Sequence, residues 1–547
     1  MSDLLDLFDS APAPAAAMPR ETPAPRIPAG ATLAEDCPAV RDFLTLANPL
    51  AVQAKLFGGG TGIEANIYGY RAAWPGRVFV PIGVASLTGS PARHIETPAT
   101  SGVSVGLPEG MWLSVDLRSY QEEAVAAAAR ENMGILVAPP GAGKTVCGLA
   151  LAYRLGKRPL ILVHTKDLMV QWLRSAEKVL GCTLETVGGD LPKSEMRPDL
   201  RVAGTVAMMQ TLAGWAHIEL RQLGEKHGML LSDEAHHCPC QSLYTILWHV
   251  GIVRRYGLTA TPKRGDGLTP MLHWCFGPIV ARVRNDDLVE AGVSVIPQVR
   301  QVQTAFDYPL LRRVEIGHGW GASFRPEVRP AEVEAAMARR RGAKIHGLDD
   351  EQVDLWREWA ERRGYEVKAM VDPSSLQGMY RTLCTDEDRL RIVAGKTAEL
   401  VRTGRVTLVL GGRIEHCGSI SAGLAEWHGI EAPVLTSRLS AKKRGVVLDA
   451  MRAGTVRCAV ATSLADEGLD VPGLKGLVLA FPGRSDALTI QRIGRTMRAS
   501  GGDQRPMVVD IVDGQVGLLA NQASARRRAC KREGYEMVTG QDRDVFR

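Results

Sequence analysis

From residue 113 onward, short apolar runs bounded by turn residues alternate with longer stretches whose apolar positions recur at helical spacing. The runs at 134–137, 160–163, 200–206 and 228–231 have strand length, and 145–155 reads as a helix between the first two. Strands separated by crossover helices predict a parallel sheet. A second series of the same kind occupies 405–512, with strands expected at 406–410, 432–435, 458–461, 476–480 and 506–511. Between the two series, 297–388 carries charged helical stretches of mixed sign at 328–341 and 349–363, which predict a helical insertion or linker without a recognisable chemical motif.

The N-terminal part follows other patterns. Residues 1–33 are dominated by Ala and Pro over 11–30, which holds a backbone extended and leaves little to bury, so a tail is expected. Residues 34–112 are mixed, with a Gly-rich turn at Gly58-Gly59-Gly60 and a β-like run Arg77-Val78-Phe79-Val80-Pro81-Ile82, and predict a small accessory domain. At 547 residues the chain is long enough for several domains. The expected partition is a tail at 1–33, an accessory domain at 34–112, α/β domains at 113–296 and 389–547, and the insertion at 297–388.

Composition narrows the setting. The chain is 45% hydrophobic, with a mean hydropathy of -0.05, as in an ordinary globular protein. No apolar run approaches the roughly 18 residues that a membrane helix needs, and residues 1–10 are acidic where an export signal is basic, so no membrane association is expected. Ten cysteines without a regular framework predict reduced thiols and a cytoplasmic location. The net charge of +6 favours a polyanionic partner only weakly.

The chemistry begins at Ala138-Pro139-Pro140-Gly141-Ala142-Gly143-Lys144-Thr145, between an expected strand and an expected helix. That is the setting of a phosphate-binding loop. Glycines let backbone N–H groups curl around phosphate oxygens, and the helix N-terminus adds a favourable dipole. Lys144 would reach the β- and γ-phosphates of ATP, and the Thr145 hydroxyl would hold Mg²⁺. Pro140, Gly141, Ala142 and Gly143 form the rest of the cradle. Ala138 stands where the general pattern has Gly. About ninety residues on, Ser232-Asp233-Glu234-Ala235-His236 follows another apolar run. Asp233 is expected to hold the metal, and Glu234 to orient or deprotonate the attacking water. His236-His237-Cys238-Pro239-Cys240 has metal-ligand residue types, but structural zinc sites combine pairs from two places and no second short-spaced pair is evident.

Over 117–498 these motifs resemble, in kind and order, those of superfamily 2 helicases. The likeness is greatest to the XPB-like and phage recombination-helicase group of DNA translocases. The resemblance implies two tandem RecA-like parallel-sheet domains. Leu117-Arg118-Ser119-Tyr120-Gln121 matches the adenine-reading motif, which assigns Gln121 to the base edge with Arg118 nearby. Thr259-Ala260-Thr261-Pro262 matches the coupling motif, whose hydroxyls are expected to exchange hydrogen bonds between Asp233 and nearby backbone. The run from Ala461 to Pro472 resembles the motif in which Gly468 and Asp470 face the nucleotide and Thr462 faces nucleic acid. Gln491-Arg492-Ile493-Gly494-Arg495-Thr496-Met497-Arg498 matches the arginine-finger motif, with Gln491, Arg495 and Arg498 as catalytic candidates. Arginine fingers are worth roughly 10³ to 10⁵ in rate. Thr165, Gln210 and Arg413 occupy the places where the family contacts nucleic-acid phosphates. The basic clusters Lys442-Lys443-Arg444 and Arg526-Arg527-Arg528 could add further contacts.

The resulting expectation is an ATP-dependent, Mg²⁺-using helicase or translocase acting on duplex or branched DNA. An RNA helicase of the DEAH type is the first alternative. Those enzymes typically read S-A-T where this chain reads Thr259-Ala260-Thr261, and end their arginine motif G-R-A-G-R. A motor subunit within a defence or restriction complex, with protein partners supplying recognition and cleavage, is the second. A phospholipase-type nuclease signature fails at His164-Thr165-Lys166, because Gln171 stands where Asp is required.

Overall fold

The structure, a computed structural model, describes residues 31–35, 45–47, 66–68, 71–74, 77–81, 105–109, 111–190, 201–236, 240–262, 268–317, 322–340, 342–436, 438–462, 473–483, 486–494, 496 and 504–538. The described residues form two compact units, one ending at Val293 and the other starting at Ser294.

The first unit opens with β1 (Ala31–Glu35), β2 (Thr45–Ala47), β3 (Asn66–Tyr68), β4 (Arg71–Trp74) and β5 (Arg77–Pro81). β5 pairs antiparallel with both β1 and β4, and β2 pairs with β3. The main sheet follows, made of β6 (Met133–Val137), β7 (Pro159–Val163), β8 (Thr183–Val187), β9 (Val202–Met208), β10 (Met229–Ser232), β11 (Arg255–Thr259) and β12 (Ile279–Arg282). Its strand order is β12-β6-β11-β10-β7-β9-β8, and every pairing is parallel. β6, β7, β10 and β11 are buried along their whole length, as parallel strands covered on both faces must be. Alternate residues serve opposite faces. Ile135, Val137, Leu160 and Leu162 pack with the helices Cys240–Val250 and Thr269–Phe276, while Leu136, Ile161, Val163 and Leu231 pack under Ser119–Ala129, Lys144–Leu155 and Lys166–Leu180. The edge strands β8 and β12 are only partly buried and lack a continuous apolar run, so sequence patterning passed over them.

The second unit contains β13 (Gln298–Gln303), β14 (Arg312–Gly317), β15 (Ala322–Phe324), β16 (Gly342–Leu348), β17 (Val367–Val371), β18 (Val406–Gly411), β19 (Val434–Leu435), β20 (Cys458–Thr462), β21 (Leu474–Leu479), β22 (Met507–Val512) and β23 (Glu536–Val538). Its large sheet is parallel in the order β19-β20-β18-β21-β22-β13-β23. β13 comes from the segment read as the insertion, and runs alongside β22 from Gln298↔Met507 to Gln303↔Val512. Its polar sequence hid it, yet the polar groups have partners: Gln301 Nε2 donates to Asp510 Oδ2 at 2.9 Å. Three ion pairs and hydrogen bonds meet behind β22. Arg389 bonds Asp513 through Nε at 2.7 Å, the Thr304 hydroxyl donates to the same carboxylate at 2.7 Å, and Arg389 also donates to the Ala480 carbonyl at 2.7 Å.

The insertion is not purely helical. Both expected helices are present, at Pro330–Arg340 and Asp350–Glu361, but they cover one face of a mixed four-stranded sheet ordered β15-β16-β14-β17. The strands alternate instead of running apolar. Val314, Ile316, Ala343 and Ile345 pack with the helices, while Arg313 and Lys344 pair with Glu315 at 2.9 and 3.7 Å. Apolar positions under the helices thus alternate with ion-paired positions on the other face, which gives a period of two. One basic cluster is also corrected: Arg526 is buried and bound to Asp510 at 2.8 Å, so it is spent on the fold. No helix among the described residues is long and apolar enough to cross a membrane.

Candidate active site

The C-terminal ends of the parallel strands in the first unit gather the candidate residues, the edge where open α/β sheets bind ligands. β6 runs into the phosphate loop, its neighbour β11 ends at Thr259, β10 leads to Asp233 and Glu234, β7 leads to Thr165, and β9 leads to Gln210. Residues far apart in sequence thus share one edge.

The loop itself is shaped by two left-handed glycines, Gly141 at φ +86° and Gly143 at φ +82°, a region that side chains disfavour. A Cβ on Gly143 would also sit 2.5 Å from Gln121 Nε2. The loop is tied to the sheet where Ala138 N donates to the Thr259 carbonyl at 2.9 Å. Helix Lys144–Leu155 then starts, leaving its first backbone N–H groups toward the loop. Lys144 Nζ lies 3.4 Å from the Ala138 carbonyl and 3.7 Å from Glu234 Oε1. Gln121 closes the other side, donating to the Ala142 carbonyl at 2.9 Å and accepting from Arg118 N at 3.1 Å.

Asp233 is buried, and both its oxygens are engaged: Oδ2 accepts from Trp172 Nε1 at 2.7 Å and Oδ1 from Glu234 N at 2.9 Å. Burial, reinforced by the adjacent Glu234 carboxylate, pushes Asp233 up to about 6 against the pull of Lys144. Glu234 holds φ +41°, a conformation that costs a residue with a side chain about 1–3 kcal/mol and clusters at functional sites. The coupling threonines differ from expectation. Thr259 Oγ1 lies 2.7 Å from His236 Nδ1 and donates to the Thr261 carbonyl at 3.0 Å, so its partner is His236 where Asp233 was expected. Asp233 has instead been claimed by Trp172.

Trp172 and its neighbour Gln171 were not singled out for this site from sequence. Gln171 Nε2 donates to Thr145 Oγ1 at 3.2 Å. Of the nucleic-acid candidates, the Thr165 hydroxyl caps helix Lys166–Leu180 by accepting from Leu168 N at 3.3 Å, and Gln210 donates to the His164 carbonyl at 2.9 Å, which brings these two candidates together. In the second unit Gly411 and Thr462 are registered partners on β18 and β20, so Arg413 and Thr462 lie at one edge of that sheet. The Thr462 hydroxyl is buried, without a hydrogen-bond partner among the described residues. Gln491 lies on helix Asp486–Gly494, while Gly468, Asp470, Arg495 and Arg498 fall outside the described residues, as do His237, Cys238 and Pro239.

Two family models match the chain: the type III restriction enzyme res subunit over residues 114–264 and the helicase conserved C-terminal domain over 394–500. The chain carries the two domains of a superfamily 2 helicase, an ATP-hydrolysing enzyme. It is 25% identical to the DNA 3'-5' translocase XPB2 of Sulfurisphaera tokodaii, over 76% of this chain and 85% of that protein. It is 24% identical to the DNA 3'-5' helicase XPB of Mycobacterium tuberculosis, over 77% of this chain and 65% of that one. Against the probable helicase D10 of Escherichia phage T5 the figures are 23%, 74% and 73%. Several of these relatives are therefore longer than the part matched, with the helicase spanning 64% and 53% of two others. Among solved structures, T4 UvsW is 15% identical at a TM-score of 0.33, over 91% of this chain and 94% of that one.

Proposed function

We propose that this helicase is a DNA translocase, converting ATP hydrolysis with Mg²⁺ into movement along, or remodelling of, duplex or branched DNA in the cytoplasm. The observation that carries the ATP chemistry is the convergence of Lys144, Thr145, Asp233 and Glu234 at one sheet edge, with Lys144 and Glu234 only 3.7 Å apart. The donors suit the metal: a hydroxyl and a carboxylate are hard oxygen ligands of the kind Mg²⁺ takes alongside phosphates. Bound there, Mg²⁺ would neutralise charge developing on the phosphate oxygens. Thr145 and Asp233 would hold it, the glycine-shaped loop and Lys144 would bind the β- and γ-phosphates, and Glu234 would orient or deprotonate water. Gln121 and Arg118 would read adenine. The resemblance assigns Gly468 and Asp470 to nucleotide contact, and Gln491, Arg495 and Arg498 to the transition state. Thr165, Gln210, Arg413 and Thr462 are assigned to nucleic-acid contact, and Thr259 and Thr261 to coupling.

DNA is supported by the relatives, several of which are named as DNA translocases or DNA helicases. The test is ATPase rate measured in parallel with duplex, single-stranded and forked DNA and with RNA. Duplex or forked DNA is expected to stimulate most, and stimulation by RNA alone would sink the proposal. The description of the family matched at 114–264 favours a second reading, a motor subunit of a restriction or defence complex. Affinity purification from the native host that recovers no stable protein partner would count against it.

A further inference from the structure

Helix Lys166–Leu180 carries two consecutive residues that reach two separate parts of the phosphate site. Successive helical residues diverge by about 100° around the axis, so neighbours can serve different partners. Gln171 Nε2 donates to Thr145 Oγ1 at 3.2 Å, and Trp172 Nε1 donates to Asp233 Oδ2 at 2.7 Å. Thr145 follows β6 and Asp233 follows β10, two strands that are not adjacent in the sheet. One dipeptide therefore bridges them. Trp172 is fully buried, and its indole N–H can only donate, so this bond has one possible sense. The other Asp233 oxygen is held by Glu234 N, which leaves the carboxylate orientation determined at both ends. The neighbouring helix makes room for the ring: a Cβ on Gly148 would lie 2.8 Å from Trp172 Cη2.

We infer that Gln171 and Trp172 are a positioning pair, holding the Thr145 hydroxyl and the Asp233 carboxylate in register for one magnesium ion. The inference rests on the reading of Thr145 and Asp233 as magnesium ligands. Hydrogen bonds from outer groups keep a ligand from having to reorganise when the metal arrives, and removing such partners typically costs 10–100-fold in metal affinity. Gln171 is exposed and its bond is the longer one, so its share is smaller. A neutral hydrogen bond of about 1 kcal/mol corresponds to roughly fivefold.

The full-length chain is titrated with MgCl₂ in the presence of a fluorescent ADP analogue, as wild type, Gln171→Met, Trp172→Phe and Asp233→Asn. The Mg²⁺ concentration giving half-maximal enhancement of binding is expected to rise about fivefold in Gln171→Met and at least tenfold in Trp172→Phe. Affinity for the analogue in EDTA should stay at the wild-type value in both, which a merely structural defect would not allow. In Asp233→Asn the Mg²⁺ enhancement should vanish. If Asp233→Asn loses it while Gln171→Met and Trp172→Phe keep the wild-type Mg²⁺ dependence, the positioning role is overturned and the magnesium reading stands. If Asp233→Asn matches wild type, both fall together. Should Trp172→Phe fail to fold, the exposed Gln171 position carries the test alone.

Discussion

Gly148→Ala probes the Trp172–Asp233 link without replacing either partner. In a helix interior, Ala is favoured over Gly by about 1 kcal/mol, so the substitution should help helix Lys144–Leu155 considered by itself. Tertiary packing opposes it. The new Cβ would sit 2.8 Å from Trp172 Cη2, 3.1 Å from Leu258 Cδ1 and 3.3 Å from Leu231 Cδ1. Carbon atoms rest at about 3.5–4.0 Å, so the indole must retreat by roughly 0.7–1.2 Å. The ring is rigid, and a comparable shift at Nε1 stretches the 2.7 Å bond to Asp233 beyond the usual limit of about 3.2 Å. Overpacking costs about 1–3 kcal/mol, partly offset by the helix gain, so a net loss of roughly 0–2 kcal/mol leaves the protein folded. Losing a hydrogen bond to a charged group costs about 1.5–3 kcal/mol, or roughly 10- to 100-fold in the function that depends on it. The assay is steady-state ATPase at limiting and at excess Mg²⁺, alongside the thermal midpoint. Turnover should fall at least tenfold at limiting Mg²⁺ and recover partly in excess. Wild-type turnover at limiting Mg²⁺ would refute the reasoning, as would a loss that excess Mg²⁺ does not relieve and that follows the thermal midpoint.

Lys144→Ala should abolish ATP turnover, and Glu234→Gln should bind ATP with near wild-type affinity yet not hydrolyse it; filter binding and phosphate release separate the two, and normal turnover in either would remove its assigned role. Arg389→Met should destabilise the second unit by about 3–5 kcal/mol, because it strands the buried Asp513 carboxylate, and urea unfolding that shifts by less than 1 kcal/mol would contradict that account. His227 is held neutral by burial, its value lowered to about 4, with Nδ1 donating to the Leu223 carbonyl and Nε2 accepting from Thr205, each at 2.8 Å. The unfolded chain takes up that proton at higher pH than the fold does. This group's contribution is therefore complete above about pH 6.5 and is lost as pH falls toward 4, a span worth roughly 3 kcal/mol. Denaturant midpoints measured across that window should fall less steeply in His227→Gln than in wild type, and parallel slopes would dismiss the assignment.

What was legible in the chain follows from how far each interaction reaches. The phosphate loop was readable because its glycines, Lys144 and Thr145 are contiguous and their strand and helix flank them directly. The buried central strands were readable because two covered faces demand an unbroken apolar run. β13 was not, since a strand beside β22 can be polar when Gln301 has Asp510 to bond and Arg300 belongs to the same ladder. The insertion's strands were missed because apolar and ion-paired positions alternate along them, and the charged positions dominated the pattern. Arg526 reads in sequence as part of a basic cluster open to phosphate contact, and only the fold places Asp510 against it. The same limit separates the two layers of the active site. The groups proposed to meet the phosphates lie in local motifs, whereas the groups that hold them bond across 26 residues from Gln171 to Thr145 and 61 from Trp172 to Asp233. In the nuclease comparison Gln171 counted only as a missing aspartate, and its amide acquires a role once β6 and β10 are brought to a common edge. The register of Thr145 with Asp233 is thus a property of the sheet order, which no run of neighbouring residues encodes.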